Sequence, residues 1–561
     1  MSFSGIEAST QSTSRRWAEV GLIFLVFFIF GGDPAPHVNE PHYLCRFKHF
    51  WQPEWASGDL FLESPDAHYL VVFALGWLTK YLSLAATAWT LRIVTWVALA
   101  WAWQRLSYRL VPRPWCAPLA AAIWTFAIEQ GNLAGEWVIG GFEAKCVAYV
   151  LVLLALREIV DNRWNRVWIL LGCASAFHVL VGGWSVIISL FVWAMLRWGG
   201  WGRSQQTQPP AEPQRIPADS SNPPPFLSML PGLAAGGAIA LLGLVPTLTL
   251  NWGTSPEVVE EANHIYVFVR LPHHLALLHN GSDWLRERAS RHAVVFAVWV
   301  LLAWRLWKHR PQATGGPLGR MVLFALGALA LAACGLAIEL AFWNYPHTAA
   351  KLQRFYWYRL NDITAAAVAA WLLVDWTTEL FARRKTLGVV LLAATLVVLG
   401  ARMAQLTYYR SVSPMAPADR KMIDYADWVD ICDWVRENTP TEARFLVPRE
   451  SHSFKWRTGR PEVVTRKDIP QDAASMVEWH RRIKDAFRPR GQLPFLGPLA
   501  NPDATRIGEL AERYDADYLV IDTSESLNLP APYANSTYTV YDLSEARRAA
   551  TSEPAPDAEL D

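Results

Sequence analysis

Long apolar runs constrain this chain most, because about 20 mostly apolar residues match the thickness of a bilayer's hydrocarbon core. Hydrophobic residues make up 52% of the 561 residues, and charged residues only 18%. Eleven runs fit candidate spans: 17–32, 87–103, 115–129, 142–158, 167–183, 184–196, 227–250, 293–307, 320–342, 362–380 and 386–403. The sequence therefore predicts an all-α polytopic membrane domain over 1–407 with about 11 transmembrane helices.

The division of segment 167–196 depends on Gly182-Gly183, which separates two short apolar halves. If this segment were re-entrant or a single tilted span, every later connection would change sides. The 30 Trp residues add to the membrane signal, since indole side chains favour the membrane–water interface.

Basic residues predict the orientation through the positive-inside rule. Arg and Lys are concentrated in the short connections near 105–113, 157–166, 197–215, 308–320 and 383–385. These connections lie inside if the N-terminus is inside, and eleven spans then place the C-terminal segment outside. We expect a bacterial inner membrane with a cytoplasmic N-terminus and a periplasmic C-terminal domain.

Three regions are not predicted to span the membrane. Residues 33–86 form a long first outer loop with two amphipathic stretches, His42–Phe50 and His68–Tyr81. Residues 204–225 are polar and Pro-rich, which is typical of a disordered linker. From about 408 the chain resembles a soluble domain.

The segment 408–546 predicts a soluble outer α/β or α+β domain. Helical patterns lie at 419–437, 475–487 and 503–514, and strand-like runs lie at 444–448, 517–522 and 538–543. Residues 547–561 are acidic and rich in Pro and Ala, so we expect a disordered tail.

The first outer loop holds the densest group of candidate catalytic side chains. The group comprises Asp33, His37, Glu40, His42, Asp59, Glu63, Asp66 and His68. One interpretation is an ordinary solvated loop. The other is a carboxylate that takes a proton from an acceptor hydroxyl at the membrane surface, as a general base.

The order of motifs in this region resembles the N-terminal module of the GT-C superfamily of membrane glycosyltransferases. Asn39-Glu40-Pro41-His42-Tyr43 is similar to the Asp-Glu-x-His/Arg-aromatic motif that follows the first span in protein O-mannosyltransferases and aminoarabinose transferases. Asp66-Ala67-His68-Tyr69-Leu70 lies where many members carry His/Lys-Pro-Pro-Leu, and Arg92 lies where they carry an Arg.

The resemblance implies inverting transfer of a sugar from a polyprenyl-phosphate donor to an acceptor on the outer side. Asn39 occupies the position of the catalytic Asp and cannot act as a base, so the role falls to Glu40 or Asp33. Arg92 is then a phosphate-binding candidate. The resemblance implies no organic cofactor and leaves a divalent metal open.

A second set of cations precedes the 362–380 span. Lys351, Arg354 and Arg359 alternate with aromatic residues, which suits phosphate binding at the interface. The alternative is an interfacial aromatic belt with Arg.

Ionisable residues within apolar runs are costly and mark functional sites. The cavity candidates from the runs and the first loop are His42, Asp66, His68, Glu136, Glu143, Lys145 and His178. Glu136 and Glu143 are seven residues apart and would share one face of a helix. Glu143 and Lys145 could instead form a purely structural pair.

Other functions compete with the glycosyltransferase. A transporter or flippase would also carry intramembrane charges, although no inverted repeat is evident. A catalytically inactive GT-C-like protein that presents its outer domain to partners is the third reading. Near-equal numbers of basic and acidic residues, 51 and 50, give no surplus to attract nucleic acid. We expect the pair His273-His274 to lie on the solvated surface.

Overall fold

The computed structural model describes residues 12–199, 201, 222–487, 504–524 and 526–552. Within this part the chain forms 22 α-helices and four short strands. Most of the predicted linker 204–225 and the tail from residue 553 lie outside the described residues.

The N-terminal third consists of helices. They are α1 (Thr13–Gly31), α2 (Glu40–Trp51), α3 (Leu60–Glu63), α4 (Tyr69–Gly76), α5 (Leu84–Leu110), α6 (Cys116–Gly131), α7 (Ala144–Val160), α8 (Trp164–Phe177) and α9 (Val179–Arg197). The predicted amphipathic stretches correspond to α2 and to α4 with the 3-10 turn Trp77–Lys80.

The middle of the chain continues the bundle. It contains α10 (Leu230–Thr249), α11 (Pro256–His264), α12 (Pro272–Leu275), α13 (Ser282–His309), α14 (Pro317–Ala341), α15 (Pro346–Gln353), α16 (Arg359–Arg383) and α17 (Lys385–Val412). A π-helical turn, Ile265–Arg270, follows α11.

Seven helices of the described part are long and apolar enough to cross a membrane, namely α5, α9, α10 with its preceding turn, α13, α14, α16 and α17. The chain is thus a mostly helical, multi-pass membrane protein. The other predicted runs fall short of this criterion. Helix α1 carries Arg15, Arg16 and Glu19, and α6, α7 and α8 have only 16, 17 and 14 residues.

The break within segment 167–196 lies at His178, four residues before the predicted glycine pair. His178 has extended backbone angles and separates α8 from α9. Its ring nitrogen Nδ1 accepts a hydrogen bond from Val181 N, which caps the new helix. Gly182 permits the bend, because a Cβ there would lie 2.2 Å from Ser175 N.

Four of the predicted basic connections (105–113, 157–166, 308–320 and 383–385) meet at one end of the bundle, and together with residues 375–383 at the end of α16 they are here called the basic end. Arg109 pairs with Asp161 at 3.1 Å. Arg320 donates to Ile159 O at 2.7 Å, and Arg310 pairs with Asp375. These contacts place the four connections on the same side of the bundle.

The first loop and the C-terminal domain lie together at the opposite end, here called the loop end (residues 33–83 with 413–487, 504–524 and 526–552). Lys455 joins them: its Nζ lies 2.9 Å from Asp59 Oδ2 of the loop, 3.0 Å from Asp468 Oδ2 and 3.2 Å from Glu462 Oε1. All four side chains are buried. The C-terminal domain is therefore docked through a buried ion cluster.

The C-terminal domain has mixed helices and strands. It contains α18 (Tyr425–Asn438), β1 (Phe445–Leu446), α19 (Phe454–Thr458), α20 (Ala473–Phe487), α21 (Ala504–Tyr514), β2 (Tyr518–Asp522), β3 (Tyr533–Ala534), β4 (Tyr538–Asp542) and α22 (Ser544–Ser552). The sheet order is β1-β2-β4-β3, with β1 parallel to β2 and the other pairs antiparallel. This is the small domain that the sequence pattern predicts.

Many Trp side chains form the bundle core and do not lie at the interface. Trp103 stacks on Trp124 and Trp371 with ring centroids 4.3 and 4.8 Å apart. All three are almost fully buried. Stacked indoles bury large apolar areas, so this part of the Trp content serves helix packing.

Candidate functional site

A cavity of about 770 Å³ lies where the loop end of the bundle meets the C-terminal domain. The first loop contributes Asn39, His42, Tyr43 and His68 to its lining, and the bend between α8 and α9 contributes His178. The C-terminal domain closes the cavity with residues 467–476. Three separate parts of the chain therefore build one site.

Positive charge dominates the cavity lining. Its six cations are Lys145, Arg270, Arg288, Arg354, Arg359 and Lys467, and its two carboxylates are Glu136 and Glu143. Five His residues also line it: His42, His68, His178, His273 and His274. Burial lowers the pKa of His273 to about 2 and that of His274 to about 3, so both are neutral near pH 7. The lining favours an anionic ligand.

One wall of the cavity is apolar. Helix α9 contributes Gly183, Trp184 and Ile187, and α10 contributes Leu244 and Leu248. Ile187 and Leu248 are 48% and 76% exposed, and both lie on helices that are apolar enough to span a membrane. This wall is therefore apolar and open to the outside of the bundle between two helices of membrane-spanning length, which suits a ligand with a long apolar chain.

An ion-pair network crosses the cavity floor. Glu136 accepts from Arg359 Nε at 2.7 Å and lies 3.4 Å from Lys145 Nζ. Lys145 also pairs with Glu143 at 3.2 Å, and Glu143 accepts from Asn39 Nδ2. Each carboxylate has a cation, so this part of the lining is neutral overall and offers hydrogen-bonding groups.

The expectation that Glu136 and Glu143 share a helix face is wrong. Helix α6 ends at Gly131 and α7 begins at Ala144, so both glutamates lie in the irregular segment between them. Lys145 brings the two carboxylates together. The charge pattern of the segment indicated the cluster, although the predicted geometry did not apply.

His68 is the cavity residue best arranged to accept a proton. Its Nδ1 lies 3.2 Å from Asp66 Oδ1 and 3.0 Å from Gln471 Nε2 of the C-terminal domain. This nitrogen cannot donate to the carboxylate and accept from the amide at once; in the tautomer that donates to Asp66, Nε2 carries the free lone pair and the Gln471 contact is not a hydrogen bond to the ring. Its Nε2 has no hydrogen-bond partner among the described residues. Arg46 at 3.4 Å and His68 keep the pKa of Asp66 low despite its burial, so Asp66 stays ionised and orients the ring.

Glu40 lies outside the cavity lining, in a buried pair with Arg92. Both Arg92 Nε and Nη2 donate to its carboxylate, at 2.6 and 2.5 Å, and the backbone N–H groups of His37 and Phe142 donate to it as well. Burial raises the pKa of Glu40, but the Arg92 contacts outweigh burial and lower it. These contacts assign Glu40 and Arg92 a structural role and argue against the predicted roles of general base and phosphate ligand.

Asp33 and Lys351 also lie away from the cavity. Asp33 Oδ1 accepts from Arg410 at 2.9 Å, which ties the first loop to α17. Lys351 is exposed and pairs with Glu260 at 2.5 Å. His42 lines the cavity but also lies 3.5 Å from Asp468, at the edge of the Lys455 cluster.

Sequence reasoning missed several ionisable contributors to the lining, Arg288 among them. Arg270 and Lys467 lie in segments that carried no recognised motif, and the pair His273-His274 lines the cavity and is not solvated surface. The unusual density of ionisable groups in 263–274 was the available signal. Among the described residues, no group of three or more His, Cys, Asp or Glu is arranged to hold a metal ion.

The comparisons with known proteins bear on the C-terminal domain. A model described as a domain of unknown function, DUF6798, matches residues 426–486. This segment runs from α18 into α20 and includes Lys455, Glu462, Lys467 and Asp468. No curated protein matches the chain.

Proposed function

We propose that this protein is a GT-C-like membrane glycosyltransferase that takes a sugar from a polyprenyl-phosphate donor and transfers it to an acceptor at the loop end. The observation that carries the proposal is the amphipathic cavity, which has an apolar, exposed wall on two span-length helices and a cationic, polar interior. A lipid-linked phosphate sugar likewise has an apolar chain at one end and an anionic phosphate followed by a polar sugar at the other.

Arg354 and Arg359 are the proposed ligands of the lipid phosphate. Arg354 donates to Asn263 Oδ1 at 2.7 Å and follows α15, and Trp184 of the apolar wall donates to the next residue, Phe355 O, at 2.7 Å. A phosphate beside Arg354 therefore leaves its polyprenyl chain next to the apolar wall. Arg guanidinium groups suit this contact because they can bind phosphate with two parallel hydrogen bonds.

His68 is the proposed general base. The acceptor oxygen attacks the anomeric carbon of the donor sugar, and the bond from that carbon to the phosphate oxygen breaks. The acceptor proton moves to His68 Nε2, and the polyprenyl phosphate leaves with the electron pair of the broken bond. Asp66 stabilises the imidazolium, and the Glu136–Arg359–Lys145–Glu143 network offers hydrogen bonds to sugar hydroxyls.

The proposal includes eleven spans, with a cytoplasmic basic end and a periplasmic loop end in a bacterial inner membrane. Helices α1, α6, α7 and α8 run between the same two ends as the longer helices. The contacts among the basic connections support a common side for them. Flanking Arg and Lys residues that snorkel allow short helices to span.

Lipid binding tests the proposal directly. Native mass spectrometry of the full chain with a polyprenyl monophosphate should show binding, and Arg354→Gln should weaken it by about tenfold or more. Lys351→Gln is the matched control, because it removes a nearby cation that lies outside the cavity. Unchanged lipid affinity in both Arg354→Gln and Arg359→Gln would refute the phosphate assignment.

A further inference from the structure

Arg270 and Lys467 differ from the other cations of the cavity because, among the described residues, neither has an ion pair or a hydrogen bond to another side chain. Arg270 is 7% exposed, and its Nε has no hydrogen-bond partner in the described part of the chain. Its Nη2 donates to the backbone O of Lys467 at 3.5 Å, which holds the two residues together. The Lys467 Nζ has neither a hydrogen bond nor an ion pair with any described residue.

The remaining cavity cations have partners. Lys145 and Arg359 share Glu136 and Glu143. Arg354 donates to Asn263 Oδ1 at 2.7 Å, and Arg288 donates to Asn132 Oδ1 at 2.9 Å. Within the described part of the chain, Arg270 and Lys467 are therefore the cavity cations that have no side-chain partner.

Leaving two positive charges together in a buried place is costly for the empty protein. Burial and the Arg270 charge lower the pKa of Lys467 to about 7, and burial and Arg466 lower that of Arg270 to about 10. An uncompensated buried charge destabilises a fold. An anion supplied from outside would offset the Arg270 charge and favour the protonated form of Lys467.

The neighbouring imidazoles are consistent with an anion. His273 and His274 line the same part of the cavity and are neutral near pH 7, because burial lowers their pKa. They add no charge of their own. Neutral His274 uses its one N–H at Ala134 O, so His273 is the ring that can donate a hydrogen bond to an anion.

We propose that Arg270 and Lys467 form a second anion-binding site, which takes a phosphate group other than the lipid phosphate held by Arg354 and Arg359. Two sources share this chemistry: an anionic group on the acceptor, or the second phosphate of a polyprenyl diphosphate donor. The choice between these sources rests on the proposed function, whereas the anion site does not.

Inorganic phosphate is the probe for the site itself. In the purified full chain, phosphate should bind and raise the melting temperature, and Arg270→Met or Lys467→Met should weaken this binding by about tenfold or more. Arg466→Met is the matched control, because Arg466 is adjacent to Lys467 but pairs with Glu450 at 3.2 Å and does not line the cavity. Equal phosphate affinity in wild type and both cavity variants would overturn the inference, as would an equal loss in Arg466→Met.

Stability without ligand provides an independent readout. If the pair serves a ligand, Arg270→Met should melt at the same temperature as the wild type or higher, because an unpaired buried charge is removed. A purely structural Arg270 predicts a lower melting temperature, and that result would overturn the inference.

Lipid competition identifies the source of the anion. Saturating polyprenyl monophosphate should leave the binding of inorganic phosphate intact. If this lipid displaced the inorganic phosphate, the cavity would have a single anion site and the proposal would be refuted. Displacement by polyprenyl diphosphate alone assigns the second site to the donor. Retention in the presence of both lipids assigns it to the acceptor. Loss of monophosphate binding itself would count against the proposed function only.

Discussion

Arg92 and Glu40 form a bidentate ion pair in which both side chains are completely buried, although 52 residues separate them in the chain. The pair joins α5 to the first turn of α2. Arg92 Nη1 also donates to Asp33 O at 2.6 Å, and Phe142 N donates to Glu40 at 3.0 Å. The pair thus fixes the segment that carries Asn39 and His42 against the bundle.

Glu40→Gln should lower the free energy of unfolding by about 3–5 kcal/mol, because it leaves the buried Arg92 charge unpaired. Thermal unfolding in detergent measures the loss. Glu54→Gln removes the same charge from an exposed position of the same loop and should change stability by no more than about 0.5 kcal/mol. A thermally normal Glu40→Gln protein with strongly reduced transfer would instead return the general-base role to Glu40.

Most helices follow from the apolar runs, and the exceptions have local causes. The predicted strands at 517–522 and 538–543 correspond closely to β2 and β4. The break at His178 was missed because glycine pairs are the usual sequence signal for a bend, whereas here an imidazole caps the next helix. The two-residue strand β3 is too short to give a pattern.

The sequence predicted residues of the candidate site only where an ionisable residue lies within an apolar run, which is unusual because burying such a residue is costly. Glu136, Glu143, Lys145 and His178 stood out because charged groups in apolar runs are costly, and all four line the cavity. Arg270 and its partner residue from the C-terminal domain are 197 positions apart, so their proximity depends on domain docking. No local pattern carries that information.

Lys455→Met should destabilise the protein by about 3–5 kcal/mol, because Asp59, Glu462 and Asp468 would then share a buried site without a cation. Burial already raises the pKa of Glu462 to about 8. Limited proteolysis should cut the C-terminal domain faster once its docking weakens. Lys421→Met, at an exposed lysine paired with Glu450, is the control. Wild-type melting and proteolysis in Lys455→Met would refute the docking role.

Stability should fall as the pH decreases from 6.5 toward 4.5. Burial lowers the pKa of His37 and His452 to about 4, of His274 to about 3 and of His273 to about 2. In this window the unfolded chain therefore binds protons that the folded protein does not bind. Each such proton lowers the free energy of unfolding by up to about 1.4 kcal/mol per pH unit. Glu462 acts in the opposite direction. Because its pKa is raised to about 8, the folded protein holds one proton there that the unfolded chain releases. Unfolding midpoints at pH 6.5, 5.5 and 4.5 measure the slope, and a flat or rising stability would contradict it.

Protease accessibility tests the proposed membrane topology. With eleven spans and a cytoplasmic N-terminus, residues 413–552 face the periplasm, so protease added to intact spheroplasts should remove them. A tag inserted within 204–221, in the predicted inner linker between α9 and α10, should stay protected until the membrane is lysed. Complete protection of the C-terminal domain would show that one of the short helices α1, α6, α7 or α8 does not cross.

His68→Gln should reduce sugar transfer by about 10²–10⁴-fold, because a glutamine cannot take the acceptor proton at neutral pH. Binding of the polyprenyl phosphate should stay within a few-fold of wild type, since His68 contacts Asp66 and Gln471 and not the proposed phosphate ligands. His49→Gln is the control. His49 lies in the same loop, its Nδ1 is 2.8 Å from Trp55 O, and it does not line the cavity. Added imidazole should partly restore transfer in His68→Ala, as it would supply the missing base. A structural histidine would give no such rescue, and full transfer by His68→Gln would remove His68 from the mechanism.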